Sequence, residues 1–294
     1  MTTTIDVVIP TVGRPELRRA LLSVNQQRIQ PISLTVVCDN DDRWSEVRAV
    51  VSEFPAARLI RNDRRQRASG ARNAGASIGE APALAFLDDD DWWESTFLEC
   101  MSSAVAASQG RYAYAYCGVY QRAVDPHGMP IRNAPPIPCD LQSAFREGSF
   151  CPPTTSCLLL NRASFNLIGG FDEELTNFED WYLLYNLSQS GAVVRVPDIL
   201  VNYWQHDGAR LTTNRAHRIN AFDMLEQKVG EPMPNFRRSM LYSLVYKEQK
   251  RVLKHAGRVR SIANLFHLWR LYHRQLSSWM WLRESARIAV SRAH

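Results

Sequence analysis

The stretch Ala83-Leu84-Ala85-Phe86-Leu87-Asp88-Asp89-Asp90-Asp91 sets five apolar residues directly against four consecutive aspartates. An apolar run this short reads as a buried strand, and it ends abruptly in negative charge. Adjacent carboxylates raise one another's pKa unless a cation or several donors stabilise them. A divalent metal held by oxygen ligands is one solution. In an extended segment, residues two apart share a face, so Asp88 and Asp90 project together, as a cation bridging to a substrate diphosphate would require. The alternative is an acidic turn capping a helix that starts near Trp92.

Working outward, three similar runs precede this one: Ile5 to Ile9, Leu34 to Val37 and Arg58 to Ile60. Between them lie helical patterns. Pro15 suits the first position of a helix carrying Leu17, Leu21, Leu22 and Val24, and Trp44, Val47, Val50, Val51 and Phe54 fall on one stripe. Such alternation predicts an α/β protein with a Rossmann-like, mostly parallel sheet and helices on both faces. Ligands of such sheets bind beyond the carboxyl ends of the strands. There stand Pro10-Thr11, Cys38-Asp39-Asn40, Arg61-Asn62-Asp63 and the aspartate run. A dinucleotide fold needs a glycine-rich turn after strand one, whereas Pro10 to Pro15 offers only Gly13. Nicotinamide or flavin dehydrogenase chemistry is disfavoured on that ground.

With 294 residues and 45% hydrophobic content, the chain can bury a full core. MTTTIDVVIP has no basic segment leading into a long apolar stretch, and no window approaches 18 uninterrupted apolar residues. Secretion and membrane insertion are therefore disfavoured, and a cytoplasmic protein is expected. The six cysteines lack zinc-type spacing and read as free thiols. Charge is divided unevenly. Residues 237 to 294 hold 13 Lys and Arg against two acids, so this segment carries +11, and residues 1 to 236 carry −6 of the +5 total. Gly230-Glu231-Pro232-Met233-Pro234 reads as a linker. The expected organisation is a catalytic domain over 1–229, with a nucleotide-binding half to about residue 100 and an acceptor half beyond, followed by a basic helical region over 230–294.

Seven segments in order resemble the family 2 glycosyltransferases of the glycosyltransferase-A fold: VVIPTVGRP at 7–15, VVCDND at 36–41, SGARNAG at 69–75, AFLDDDDWW at 85–93, GGFDE at 169–173, NFEDWYLL at 177–184 and NYWQHDGARLT at 202–212. The resemblance covers about residues 4 to 214 and implies sugar transfer from a nucleotide-sugar donor to a hydroxyl acceptor with inversion. By that resemblance, Pro10 and Thr11 line the nucleotide pocket, and Asp39 accepts the imide N–H of a uracil-type base. A carboxylate accepts but cannot donate, which favours uracil or thymine over cytosine. Cys38-Asp39-Asn40 differs from the two acids before a glycine common in the family. Asp39 also reads as a simple turn residue.

The resemblance places Arg72 in the nucleotide pocket, where a guanidinium suits phosphate or carboxylate. Arg64, Arg65 and Arg67 form a second basic cluster, read as a solvated loop or as a closure over diphosphate. Within the aspartate run, the family's Asp-x-Asp pattern implies that Asp88 faces ribose or metal, that Asp89 fills the variable position of the donor site, and that Asp90 is the firmest metal ligand. Mn2+ or Mg2+ is the implied cofactor, giving Lewis-acid help to the leaving diphosphate. Asp91 reads as the cap of the following helix. Glu179 and Asp180 match the acidic pair on the acceptor side, with Asp180 the general base; on residue type alone they equally suit a helix N-terminus. His206 is a secondary metal ligand by the same resemblance. Trp181, Tyr203 and Trp204 read either as a sugar-stacking surface or as core.

In the tail, Ile262, Leu265, Phe266, Trp269 and Tyr272 fall on one helical stripe interleaved with Arg and His, with Trp279 and Trp281 beyond. Peripheral contact with the inner face of an anionic membrane is one reading. A helical subdomain packed on the catalytic domain, or on a second subunit in a homodimer, is the other. No nucleic-acid motif is present, and the body is acidic. Two alternatives to the enzyme are a noncatalytic nucleotide-sugar-binding protein of the same fold and a sugar-nucleotidyltransferase. The latter wants a glycine-rich triphosphate loop after strand one that the sequence lacks.

Overall fold

The apolar runs pair as predicted. The computed structural model describes residues 3–64, 67–123, 130–134, 154–205, 215–274 and 276–290. In it β1 (Ile5–Thr11), β2 (Ser33–Cys38), β3 (Ala57–Arg61) and β4 (Ala83–Phe86) lie in the order β3-β2-β1-β4, every pair parallel. Their carboxyl ends therefore share one rim. Helices α1 (Leu17–Asn25), α2 (Trp44–Val51) and α3 (Ala68–Ala76) connect them. Leu17, Leu21 and Val24 of α1 are buried with Val47 and Val51 of α2, while Leu22, predicted on the same stripe, faces solvent. Pro15 precedes the helix rather than opening it, because the backbone turns at Arg14, whose carbonyl accepts from the Leu17 N–H at 3.2 Å.

Beyond β4 the sheet turns antiparallel. β8 (Leu158–Asn161) pairs antiparallel with β4, and β6 (Tyr112–Ala123) pairs antiparallel with β8. The long β9 (Ala192–Gln205) runs parallel to β6, and β7 (Pro130–Ala134) flanks β6 antiparallel. The predicted helix at Trp92 is instead β5 (Trp92–Trp93), antiparallel to β9. Trp93 stacks on Phe97 with centroids 4.1 Å apart, so burial of this ring, which local polarity does not reveal, fixes the segment as a strand. Helix α4 (Phe97–Ala106) starts only after it. The remaining helices are α5 (Arg162–Leu167), α6 (Glu179–Leu187), α7 (Arg215–Val229), α8 (Pro234–Tyr272) and α9 (Ser278–Val290).

Glycines position two of these elements. A Cβ on Gly75 in α3 would lie 2.3 Å from Val8 Cγ1, so only glycine lets the helix sit this close to the sheet. Gly170 has φ +79°, and a Cβ there would lie 2.7 Å from Asn73 Oδ1. Gly170→Ala is expected to destabilise the fold by about 1–3 kcal/mol, the range of a forced left-handed backbone, with added cost from the displaced Asn73. Gly169→Ala, where φ is +81° but no atom lies within 4 Å, should cost less. Urea midpoints of the two variants test the difference.

The described chain divides into two compact units, one reaching Leu225 and the other starting at Glu226. The predicted linker lies just past this division, where Gly230 has φ +80° and Pro234 opens α8. The second unit is built of α8 and α9, and Tyr242 of α8 donates to Glu284 of α9 at 3.2 Å. Among the described residues no helix is long and apolar enough to cross a membrane. Cys38, Cys100, Cys117 and Cys157 are free thiols, while Cys139 and Cys151 lie outside the described residues.

Candidate active site

The aspartate run does not carry four equivalent charges. Asp89 is buried, accepting from Thr11 Oγ1 at 2.6 Å and from Arg14 Nη1 at 2.5 Å. Burial pulls down the Arg14 guanidinium, but Asp89 and Asp90 outweigh it and hold the arginine charged. Asp91 is also fully buried. It accepts from Ser156 Oγ at 2.7 Å and from the Trp204 N–H at 3.1 Å, and burial, then the charges of Asp88 and Asp90, push its carboxyl well above the usual range. Asp91 therefore does not cap a helix. It ties the end of β4 to β9. The same Ser156 hydroxyl accepts from the Asp88 N–H at 3.1 Å, and its carbonyl accepts from the Trp93 indole at 2.8 Å.

Asp88 and Asp90 remain at the surface of the rim, their side chains 28% and 18% exposed. Arg72 on α3 reaches Asp88 Oδ1 at 2.6 Å and lies 3.6 Å from Glu179 Oε1. Its guanidinium is nearly buried and sits 5.2 Å above the Phe171 ring, and its Nε and Nη1 make no hydrogen bond among the described residues. Burial opposes its charge, but Asp88 and Glu179 more than offset this and keep it protonated. One cation thus joins the aspartate run to the acidic pair at the start of α6.

That pair is aimed by an uncommon backbone. Phe178, immediately before α6, has φ +64°, a left-handed conformation held by packing of its buried ring edge-on to Phe222 at 5.6 Å and near Trp181 at 6.5 Å. Asp180 accepts from the Trp181 N–H at 2.8 Å. Burial, then the charge of Glu179, push its carboxyl up to about 7, with the Trp181 N–H, Arg72 and Arg218 working against the shift. A carboxyl titrating near neutrality is matched to general-base work.

At the end of β2, Asp39 accepts from Asn62 Nδ2 at 2.5 Å, and burial pushes its carboxyl up. Its N–H donates to the Thr11 carbonyl at 2.8 Å, which ties the first two strand ends together beside Pro10. Asn73 exchanges hydrogen bonds with the Phe171 backbone at 2.8 and 2.9 Å and donates to Glu173 at 2.9 Å, so the SGARNAG and GGFDE segments form one structure. Arg64 lies 3.4 Å from Glu173. Arg65 and His206 lie outside the described residues. Trp181 is core. Trp204 instead flanks Arg19, whose guanidinium lies 3.9 Å over Trp92 and 4.9 Å over Trp204 while donating to the Asp90 carbonyl at 2.9 Å.

Arg14, Arg19, Ser156 and Phe178 are the site residues that sequence reasoning missed. For Arg14 a signal existed, since a cation in the loop after strand one meets the end of strand four in any parallel 3-2-1-4 sheet. No local signal marks Ser156 or the backbone of Phe178. Among the described residues, no three acidic, His or Cys side chains cluster as a ready-made metal cage. Two partly exposed carboxylates nevertheless fit a hard cation that keeps waters and takes its other ligands from substrate phosphates.

A mixed sheet, parallel over β3-β2-β1-β4 and antiparallel beyond, with helices packed on it, matches the glycosyltransferase-A fold. The family model for Glycosyl transferase family 2 matches residues 6–169, and the chain belongs to that family. It is 25% identical over 238 residues to the uncharacterized glycosyltransferase YwdF of Bacillus subtilis (strain 168), covering 79% of this chain and 87% of that protein. It is 24% identical over 255 residues to an uncharacterized glycosyltransferase of Haemophilus influenzae (strain ATCC 51907 / DSM 11121 / KW20 / Rd), covering 82% and 83%. Among solved structures, S. aureus TarS 1–349 shares the fold with a TM-score of 0.54 at 14% identity, covering 92% of this chain and 91% of that one. The same TarS fragment in complex with UDP-GlcNAc gives 0.56 at 14% identity, covering 94% and 93%.

Proposed function

We propose that this glycosyltransferase moves a sugar from a UDP-sugar, with a dTDP-sugar as the second candidate because thymine shares the imide N–H edge, to a hydroxyl acceptor with inversion at the anomeric carbon. The observation that carries the proposal is Arg72, which binds Asp88 on the donor side and lies beside Glu179 and Asp180, with Asp180 held near pH 7. Asp39 accepts the imide N–H of the base in a nucleotide pocket that Pro10 and Thr11 line, and the fold shared with a UDP-GlcNAc-bound TarS fragment supports that assignment. Asp88 and Asp90 would hold Mg2+ or Mn2+, which when bound offsets negative charge on the diphosphate. Asp89, clamped by Thr11 and Arg14, fixes the run that presents them. Asp180 takes the proton of the acceptor hydroxyl as its oxygen bonds to the anomeric carbon, on the face opposite the departing nucleoside diphosphate. Attack from that face inverts the centre. A noncatalytic binder of the same fold would use Asp39 and Asp88 but gain nothing from a carboxyl titrating near neutrality.

Calorimetry tests the donor half of the proposal. UDP is expected to bind more tightly with Mg2+ or Mn2+ than with a chelator, because Asp88 and Asp90 repel a bare diphosphate. Equal affinity in the two conditions, or tighter binding of an adenine or guanine nucleotide, would remove it.

A further inference from the structure

The predicted apolar stripe of the tail is split between two directions. At about 100° per residue, Ser261, Leu265 and Leu268 of α8 fall in one sector, and all three are buried. Val259, Ile262, Phe266 and Trp269 fall in the next sector and are 81%, 60%, 59% and 42% exposed. Phe266 and Trp269 stack at 5.9 Å and 19°, and His273 continues the ridge 4.8 Å from Trp269. Arg260, His267 and Arg270, all exposed, occupy a third sector along the other flank, and Arg274 is exposed in the turn just past the end of the helix. One seam of the helix is therefore satisfied by packing, while an ordered aromatic and aliphatic ridge faces outward beside a line of cations. A ridge of that kind marks an interaction surface.

Charge decides among its occupants. A second copy joined about a two-fold axis sets the same patch against itself, bringing together two segments that each carry 13 cationic residues against two acids. An anionic lipid surface is complementary on both counts, since phosphates meet the arginines while Trp and Phe sit at headgroup depth. No described helix is apolar enough to span the bilayer, so contact is confined to the interface. We propose that the Val259 to His273 face of α8 docks this protein on an anionic membrane surface, seating Ile262, Phe266 and Trp269 among the headgroups with Arg260, Arg270 and Arg274 against lipid phosphates. The proposal does not depend on the sugar-transfer reading.

Vesicle sedimentation of the full chain tests it. Vesicles rich in phosphatidylglycerol should bind the protein at low salt and release it steeply as salt rises, since such attraction is screened over about 8 Å at physiological ionic strength. Phosphatidylcholine vesicles should bind at least tenfold more weakly. The Phe266→Ala, Trp269→Ala double variant should lose most vesicle binding, with melting temperature and UDP affinity unchanged. Arg270→Glu with Arg274→Glu should lose the salt-sensitive part, which a purely apolar contact would keep. Failure to bind anionic vesicles at low salt overturns the proposal. So does a sharp fall in melting temperature for the alanine pair, which would make the ridge core, or a dimer in light scattering that the alanine pair converts to monomer.

Discussion

Asp180→Asn is expected to lower sugar transfer by roughly 10²-fold or more, the usual contribution of a positioned general base, while UDP affinity stays within a factor of about two. Asparagine keeps the acceptor oxygen for the Trp181 N–H but cannot take a proton. With the carboxyl near 7, wild-type transfer should rise with pH through that value as the base ionises, and the variant should lose this limb. Stability gives an independent reading of the same group. Its folded pKa is raised above the ordinary carboxylate value, so the native state holds a proton that the unfolded chain has released. Asp180 therefore costs the fold progressively more as pH rises from about 4 to about 7, and the cost is constant beyond. Asp180→Asn should accordingly gain melting temperature relative to wild type at pH 8 and show little gain at pH 4. Near-normal turnover in the folded variant would move the base elsewhere, and Glu179, adjacent in sequence, is then the group to test.

Removal of Arg72 is expected to have the broadest effect. Arg72→Leu takes from Asp88 and Glu179 the guanidinium they face and leaves Asp180 with the Arg218 charge alone, and breaking a buried pair by deleting one partner typically costs about 3–5 kcal/mol. Donor binding and turnover should both fall, by about 10²-fold or more in kcat/KM, which corresponds to roughly 3 kcal/mol of transition-state stabilisation. Because Arg72 counteracts the upward shift of Asp180, the acid limb of the remaining activity should move to higher pH. Arg72→Lys keeps the charge without the planar fork, so it should restore much of the pH profile and less of the donor affinity. A pH profile identical to wild type in Arg72→Leu would separate the two acidic clusters and remove the coupling between them.

Much of this site is legible in the sequence because its elements are local. Each strand is a short apolar run, and each run exits into its own polar residues, so Asp39, Asp88 and Asp90 are marked as candidates where they stand, and Asp180 is marked by the acidic pair that opens α6. Arg72 is marked as the one cation in a segment of small residues, and Gly75 confirms that close packing is what those residues serve. What the sequence conceals is long-range. Asp91 looks like a helix cap because its partners, Ser156 and Trp204, lie 65 and 113 residues away. Trp92-Trp93 resembles a helix start because the strand that pairs with it comes a hundred residues later. The stripe from Ile262 to Tyr272 shows the correct period, but periodicity cannot tell which edge of a wide apolar face finds a packing partner.

The bond from Trp204 to Asp91 also has a bearing on the order in which the molecule is made. A chain leaving the ribosome can pair β1 through β4 once about ninety residues have emerged, since all four strands lie before residue 87. Asp89 can meet Thr11 and Arg14 at that stage, but Asp91 does not acquire its anchoring until the turn before β8 supplies Ser156 and β9 supplies Trp204. Closing the 113-residue span between Asp91 and Trp204 costs somewhat more entropy than closing the shorter spans within the first four strands. A nascent or truncated chain ending before β9 would thus carry every acidic residue of the aspartate run without the Trp204 bond that completes the anchoring of Asp91.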